Sequence, residues 1–579
     1  WDVFATNSFD DIGLFNGEGG NPGDPDPDPE PILNCGEPAT AISAIQGAGS
    51  ASPLVGQVVQ IEAVVTQTLP GLKGYTVQAV AAEQDSDTAT SEGVFVYLNN
   101  SALAVDVGQR VRLQGTVGEY FTQTQLADIT ATLDCGSSAL PEPVEMSLPV
   151  ASLAELEAVE GMLVRFSQPL TVNDTYTLGR YGELTLSNGR RYTPTQVVMP
   201  GAEAIALDAQ HALNKILVDD ASTAQNPATV PYPTGGLSAF NTVRSGDTVT
   251  GLTGTVHYSF NEYRVMPTVA PTFIQTNPRT AAPELAAAGN VKVASFNVLN
   301  YFNGDGDGDG AGGGFPTARG ANTALEFERQ RAKILAAMTA LDASVIGLME
   351  IENDGFGSTS AIADLVSGLR TATGNDSWQY INAGGPVGSD QIAVGLIYRS
   401  DLVVPAAELL ILNSANSALD DQGVALFDDS RNRPMLAQRF RLLENDAEFA
   451  VMVNHLKSKG SGCGSADGDN GDGQGQCNLA RTRAAQAIGV FAAEHFAEVP
   501  ALVIGDLNAY AKEDPIMTLA QAGYINVFEA LGKEPGHGYV FSGMSGSLDH
   551  ALLNDVALQH LADATKWNIN ADEPIVLDY

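Results

Sequence analysis

The chain reads as several β-rich modules followed by a layered α/β domain. Three observations predict this. The length, 579 residues, exceeds what one hydrophobic core supports. Up to about residue 285, short runs of alternating apolar and polar residues are separated by Gly, Asn and Pro, the pattern of strands. From Val291 onward, strands alternate with segments of 3.6-residue apolar spacing, which marks helices packed on a sheet. A hydrophobic content of 44% allows packed cores, and 60 glycines point to many loops.

Residues 1–13, WDVFATNSFDDIG, read as the remnant (1–16) of a preceding, lamin-tail-like domain. The segment 17–31 contains NPGDPDPDPEP; alternating Asp and Pro build no core and predict a stiff, extended linker. From 32 to 140, VGQVVQIEAVVTQTL, KGYTVQAV, EGVFVYLNN and VGQRVRLQGTVGEY are strands, and five or so in this length suit a small barrel such as an OB-fold. From 141 to 285, EGMLVRFSQPLTVND, GELTLSNG and GDTVTGLTGTVHYSFNEYRVMPT form a second β-rich region. The echo of VGQRVRLQGTV in SGDTVTGLTGTV predicts a second barrel-like unit. After a linker the grammar changes. VKVASFNVLNYF, ASVIGLMEIEND, DQIAVGLIYR, EFAVMVNHLKSKG and PALVIGDLNAY are strands; ALEFERQRAKILAAMTALDA, AIADLVSGLRTAT and LARTRAAQAIGVFAAEHF are helices. This α/β domain spans 286–579.

Charge narrows the functions. There are 29 basic and 69 acidic residues, a net charge of −40. The excess is spread over both halves, and such a surface repels a polyanion at low salt, so charge does not suggest a nucleic-acid substrate. No apolar run approaches the roughly 18–20 residues of a membrane span, and Trp1 in place of Met fits a processed or trimmed chain. The four cysteines, Cys35, Cys135, Cys463 and Cys477, form no CxxC pattern, which argues against zinc. Two local pairs, 35 with 135 and 463 with 477, fit disulfides and an extracellular or cell-surface protein; free buried thiols are the alternative.

The chemistry lies at strand ends. Strand 293–297 delivers Asn297, strand 345–350 delivers Glu350, and strand 449–455 delivers Asn454 and His455. The run Ala501-Leu502-Val503-Ile504 stops at Gly505, and Asp506 and Asn508 follow; SGSLDHALLN delivers Asp549 and His550. Residues i and i+2 of an extended chain share a side, so Asp506 and Asn508 can face one ligand, although Gly, Asp and Asn are equally ordinary turn residues. Five such ends on one edge make a hard-cation site with a histidine nearby. Oxygen ligands suit Mg²⁺ or Mn²⁺, and phosphoryl transfer needs such an ion to neutralise developing charge.

The order Asn297 in SFNVLNY, Glu350 in LMEIEND, Asp506-x-Asn508 in IGDLNAY and Asp549 in LDHALL resembles the endonuclease/exonuclease/phosphatase (deoxyribonuclease-I-like) superfamily over roughly residues 289–579. The wider layout, with RGANTALEFERQRAKI and a Cys-bracketed loop, resembles secreted bacterial extracellular nucleases of the ExeM type. The resemblance implies a C-terminal α/β four-layer sandwich and residue roles. Glu350 and Asn297 would hold the catalytic ion, Asp506 and Asn508 would position water and the scissile phosphate, and His455 would donate to a phosphate oxygen. Asp390 would orient His455 and raise its pKa, as an acid on the second ring nitrogen does; Asp549 would support the site. Asn454 and Lys457 are expected at the substrate. The family's last Ser-Asp-His triplet has no match among the seven histidines, so its Asp-His pair is expected beyond Tyr579.

Asp305, Asp307 and Asp309 begin like a Ca²⁺ loop, but the twelfth position is Pro316, so an EF-hand is unsupported; a structural Ca²⁺ site or a flexible loop are the two readings. Lys459 is read as a phosphate contact or a solvated lysine, and Tyr510 and Tyr539 as stacking platforms or packing. The expectation is a secreted, monomeric, metal-dependent nuclease acting on DNA, with RNA as a second candidate substrate. The rivals are a phosphomonoesterase or phospholipase on the same scaffold, and an inactive binding protein.

Overall fold

The computed structural model describes residues 33–99, 101–305, 314–534 and 536–577. The expected N-terminal remnant, the Asp/Pro linker, Asp307 and Asp309 lie outside them.

Five strands, β1 (Val58–Leu69), β2 (Gly74–Gln78), β3 (Gly93–Tyr97), β4 (Gln109–Tyr120) and β5 (Gln123–Ser137), close a barrel in the order β1-β2-β3-β5-β4. Closure leaves no free edge in the ring. Alternate residues such as Ile61, Ala63, Val111 and Leu113 fill the interior. The Cys35–Cys135 disulfide ties the segment before β1 to β5.

The second β-rich region is one nine-stranded sheet. Its strands are β6 (Val144–Met146), β7 (Leu163–Phe166), β8 (Leu170–Asp174), β9 (Leu184–Ser187), β10 (Ile216–Val218), β11 (Thr248–Val249), β12 (Leu252–Ser259), β13 (Glu262–Pro267) and β14 (Phe273–Ile274). The order β14-β11-β8-β9-β10-β13-β12-β7-β6 has two ends, which corrects the expectation of a second barrel. The sequence echo records shared strand chemistry, whereas closure depends on long-range pairing. A helix, Ala202–Leu213, also sits in this region. The barrel is set against the sheet by close backbone approach: a Cβ on Gly93 would meet the Gly161 carbonyl carbon at 2.3 Å. Leu163 N donates to Gln78 Oε1 at 2.9 Å, and Thr124 N to Glu160 Oε1 at 2.9 Å.

The C-terminal region holds two larger sheets. One, ordered β15-β16-β18-β17, comprises β15 (Val293–Tyr301), β16 (Val345–Glu352), β17 (Trp378–Tyr380) and β18 (Ile392–Arg399). The other, ordered β19-β21-β22-β23-β27-β24 with β20 on β21, comprises β19 (Val403–Pro405), β20 (Leu410–Leu412), β21 (Arg433–Leu442), β22 (Glu448–His455), β23 (Ala501–Asp506), β24 (Ile525–Asn526) and β27 (Asp549–Leu553). A hairpin, β25 (Tyr539–Phe541) and β26 (Met544–Gly546), precedes β27. Val345, Met349, Val394 and Leu396 of the first sheet pack with Leu436, Val451, Val453 and Ile504 of the second. Gly347 allows this approach, since a Cβ there would lie 2.7 Å from Ile504 Cδ1. Helices Ala324–Leu341 and Ala361–Thr373 share a core with the first sheet, and Asn478–Phe496 and Asp514–Gln521 with the second. The strands run as apolar blocks because both faces are covered. Among the described residues no helix is long and apolar enough to cross a membrane.

Candidate metal centre and active site

The two facing sheets bring their polar strand ends together. One ligand atom each from Glu350, His455 and Asp506 lies within 4.8 Å of the others. Parallel pairing aligns β22 with β23 so that His455 is opposite Asp506, and antiparallel pairing sets Asp549 of β27 opposite Asp506. The sequence places each of these residues where an apolar run ends, which is why the fold delivers them to one edge.

Glu350 is aimed by a bulge. The β16–β18 register slips between Leu348 and Ile351, and Glu350 takes a left-handed backbone, φ 64°. A bulge re-aims a side chain, and such a conformation in a non-glycine residue costs of order 1–3 kcal/mol. Asn297 Nδ2 donates to Glu350 Oε1 at 3.1 Å, and the Asn300 amide to Oε2 at 3.1 Å. Asn508 is also left-handed, φ 49°, and its amide donates to Asp506 Oδ1 at 2.9 Å. Its Nδ2 donates to the Leu456 carbonyl at 3.1 Å.

Negative charge is crowded at this edge. Burial, then the neighbouring Asp549 and Glu350, push the Asp506 carboxyl well above the ordinary carboxylate range. Burial also pushes Asp549 up, partly offset by Lys566. Lys566, itself lowered to about 8 by burial, bonds to Ser547 Oγ and donates to the Asp549 carbonyl at 3.0 Å. His455 Nε2 is 3.7 Å from Asp506 Oδ2. Its Nδ1, Asn454 Oδ1 and Asp549 Oδ1 are buried without hydrogen-bond partners among the described residues. Three converging carboxylates and the orphaned oxygens of Asn454 and Asp549 fit a divalent cation.

Asp390 does not orient His455. Its two carboxylate oxygens pair with Arg319 and Arg433, both at 3.0 Å. His455 is pushed well below its usual value by burial, then by Arg433 and Arg319, the reverse of the expected rise. Arg433 lies opposite His455 in the β21–β22 register, and takes the carboxylate that the sequence resemblance assigned to the histidine. Lys457 Nζ bonds to Ser461 Oγ, and its amide donates to Asn432 Oδ1 at 2.9 Å. Lys459 is a structural lysine, donating to buried Glu513 at 2.6 Å. Tyr510 is buried and Tyr539 is 42% exposed. His550 is tied to the Ala509 carbonyl at 2.7 Å and lowered to about 3 by burial.

Both cysteine pairs are disulfides. Asp467, inside the second loop, accepts from the Leu479 and Ala480 amides at 2.9 Å each and so caps helix Asn478–Phe496. Asp305 gathers with Glu352 and Asp354 in a second carboxylate cluster. Sequence reasoning missed Arg319, Arg433 and Lys566. Arg433 opens a strand that pairs with the histidine strand, and that pairing was the available signal; the other two reach the site from loops.

Known proteins were compared with the chain. A family profile described as a domain of unknown function, DUF8508, matches residues 150–278, the span of most of the nine-stranded sheet. No curated protein matches. Among solved structures, the human Nocturnin catalytic domain with bound sulfate is similar at 14% identity and TM-score 0.32, over 47% of this chain and 86% of that one. An endonuclease/exonuclease/phosphatase family protein from Bacteroides thetaiotaomicron is similar at 15% identity and TM-score 0.30, over 47% and 84%. A mannosyl-6-phosphatase from the same organism shares 15% identity at TM-score 0.30, over 46% and 85%.

Proposed function

We propose that the protein is a divalent-metal-dependent phosphodiesterase: a nuclease of low sequence specificity acting on extracellular DNA, with RNA as the second substrate to test. In this reading 32–140 is an OB-fold-like domain, 141–285 a second β-rich domain and 286–579 a four-layer sandwich of the endonuclease/exonuclease/phosphatase type. The observation that carries it is the convergence of Glu350, His455 and Asp506 within 4.8 Å, with Glu350 itself and Asn508 beside Asp506 held in left-handed backbone.

Glu350, oriented by Asn297, and Asp506 would hold Mg²⁺ or Mn²⁺. The ion supplies Lewis-acid stabilisation of charge on phosphate oxygens. Asp506 Oδ1 accepts from the Asn508 amide, so Oδ2 is the oxygen that would face the ion, and Asp506 and Asn508 together would position the water and the scissile phosphate. Burial, then Arg433 and Arg319, hold His455 well below its usual value; its Nε2, 3.7 Å from Asp506 Oδ2, faces the site and would serve a phosphate oxygen or the leaving group. Arg433 and Arg319 bring positive charge beside His455, the local counterweight to an acidic surface that otherwise repels a polyanion. Asp549 and Lys566 fix the charge on the far side of Asp506. The two disulfides suit a protein that works outside the cytoplasm.

Incubation with supercoiled plasmid and with RNA, with Mg²⁺ or Mn²⁺ and with chelator, tests this. Nicking that needs the ion and falls at least about 10³-fold in Glu350→Ala supports it. Chelator-resistant cleavage, or release of inorganic phosphate from monoesters with plasmid left intact, contradicts it and favours the phosphomonoesterase.

A further inference from the structure

The hairpin β25–β26 sits beside the proposed centre and exposes its aromatic rings. Tyr539 and Phe541 are 42% and 61% exposed, and their rings stack at 6.2 Å with 12° between planes. Neither ring belongs to a hydrophobic core among the described residues. Gly538, just before Tyr539, lies over the site: a Cβ there would be 3.9 Å from Asp549 Oδ2 and 4.0 Å from Lys566 Nζ. The Tyr539 phenol is pushed up by burial and then by the Asp506 carboxylate, and Tyr176 stands two residues after Asp174, on which the hairpin turn is seated. Tyr176 comes from the nine-stranded region, just after β8, and is 67% exposed.

A hairpin this short is marginal alone, and the region matched by the family profile props it up. Thr193 N donates to the Ser545 carbonyl, and Ser545 N to the Arg191 carbonyl, both at 2.9 Å, so residues 191–193 act as a third strand. The turn, Ser542-Gly543 with φ 50° and 68°, is seated on the same region. Arg191 Nη2 donates to the Gly543 carbonyl at 3.2 Å, and a Cβ on Gly543 would lie 3.3 Å from Asp174 Cβ. At the base, Arg190 Nη1 donates to Ser545 Oγ at 2.8 Å and to Asp572 Oδ1 at 3.1 Å.

We propose that Tyr539, Phe541 and Tyr176 form a stacking platform for unpaired nucleobases next to the scissile phosphate, and that the region 150–278 serves to hold it. The chemistry favours bases over phosphates. The basic neighbours are already engaged, Arg190 by Asp572, Arg191 by the Gly543 carbonyl and Lys566 by Ser547, the remaining charges are those of Asp174, Asp506 and Asp549, and a chain of net charge −40 gains little from backbone phosphates. Stacking needs no charge and tolerates any base, because every base has a π-face. A duplex keeps its bases stacked inside, so the platform selects single strands or frayed ends. This rests on the phosphodiesterase reading, and it gives the second β-rich region a part in substrate recognition.

The test is binding with metal chelated, read by fluorescence anisotropy with labelled oligothymidylate and with an abasic strand of equal length and charge. The proposal predicts that the full chain prefers the base-bearing strand by about tenfold or more. Phe541→Ala and Tyr176→Ala should each lose most of that preference, while Phe541→Trp keeps it and so controls for folding. Equal affinity for the two strands, or a preference untouched by both alanine variants, overturns the platform. Base-dependent binding by a protein that cleaves no phosphodiester with any ion would overturn the phosphodiesterase reading and leave the platform standing; metal-dependent cleavage with equal affinities would do the opposite.

Discussion

At the scale of single residues, the candidate site is built from side chains that hold one another in place. Asn297, Glu350, Asp506 and Asn508 stand where apolar runs stop, and the fold brings Asn297 onto Glu350 and Asn508 onto Asp506. The bulge that aims Glu350 leaves no mark in the sequence, since its cause is a register slip between strands. The family resemblance alone assigns Asp390 to the histidine. Two arginines, one of them from a loop, claim it instead. This yields a prediction that separates the two arrangements. His455→Asn should lower kcat by about 10²–10⁴, the range of lost proton transfer. Asp390→Asn should cost less than about tenfold if it only tempers Arg319 and Arg433. A loss in Asp390→Asn equal to that in His455→Asn, with kcat measured under saturating ion, would restore the histidine–carboxylate pair.

Among elements, apolar periodicity located the helices well: AIADLVSGLRTAT is the observed helix Ala361–Thr373. Strand β5 is absent from the strands read from the sequence although ADITATLDC alternates apolar and polar residues; its apolar positions Ala127, Ile129, Ala131 and Leu133 are only partly buried and the polar ones between them are exposed. The hairpin β25–β26 escaped because what stabilises it arrives from residues 191–193, about 350 positions away in sequence. That dependence is testable. Thr193→Pro removes the donor to the Ser545 carbonyl, and one such bond is worth about 1 kcal/mol. Amides in Tyr539–Gly546 should then exchange about five- to tenfold faster, with the core of β23 unchanged. Unaltered exchange in the hairpin would show that it stands without the second region.

For the whole molecule, the joint between the barrel and the nine-stranded sheet sets a pH response. Glu160 is pushed well above its ordinary value by burial and by Glu157 and Glu119, and Thr124 N–H only partly offsets this. Its folded pKa exceeds its unfolded one, so stability is fullest with the carboxyl protonated and falls as pH rises from near 4.5. His257, buried at the same joint and lowered to about 3, has the opposite sign: stability falls as pH drops below about 6.5. Glu160→Gln should therefore raise the unfolding temperature of this part by about 2–4 °C at pH 8, with the gain shrinking towards pH 4.5. Calorimetry showing the same gain at both values would contradict a buried, raised carboxyl. Charge composition foretold an acidic surface but not this joint, because Glu160 differs from the other acids only through its contacts.

The most direct measurement of the central claim is anomalous diffraction from crystals soaked in Mn²⁺. The account predicts a peak within coordination distance of Glu350 and Asp506, about 2.0–2.2 Å, as for small hard cations, and its loss in Glu350→Gln. An empty position between Glu350, His455 and Asp506 in crystals that hold Mn²⁺ elsewhere, from protein that cleaves plasmid in that ion, would contradict it.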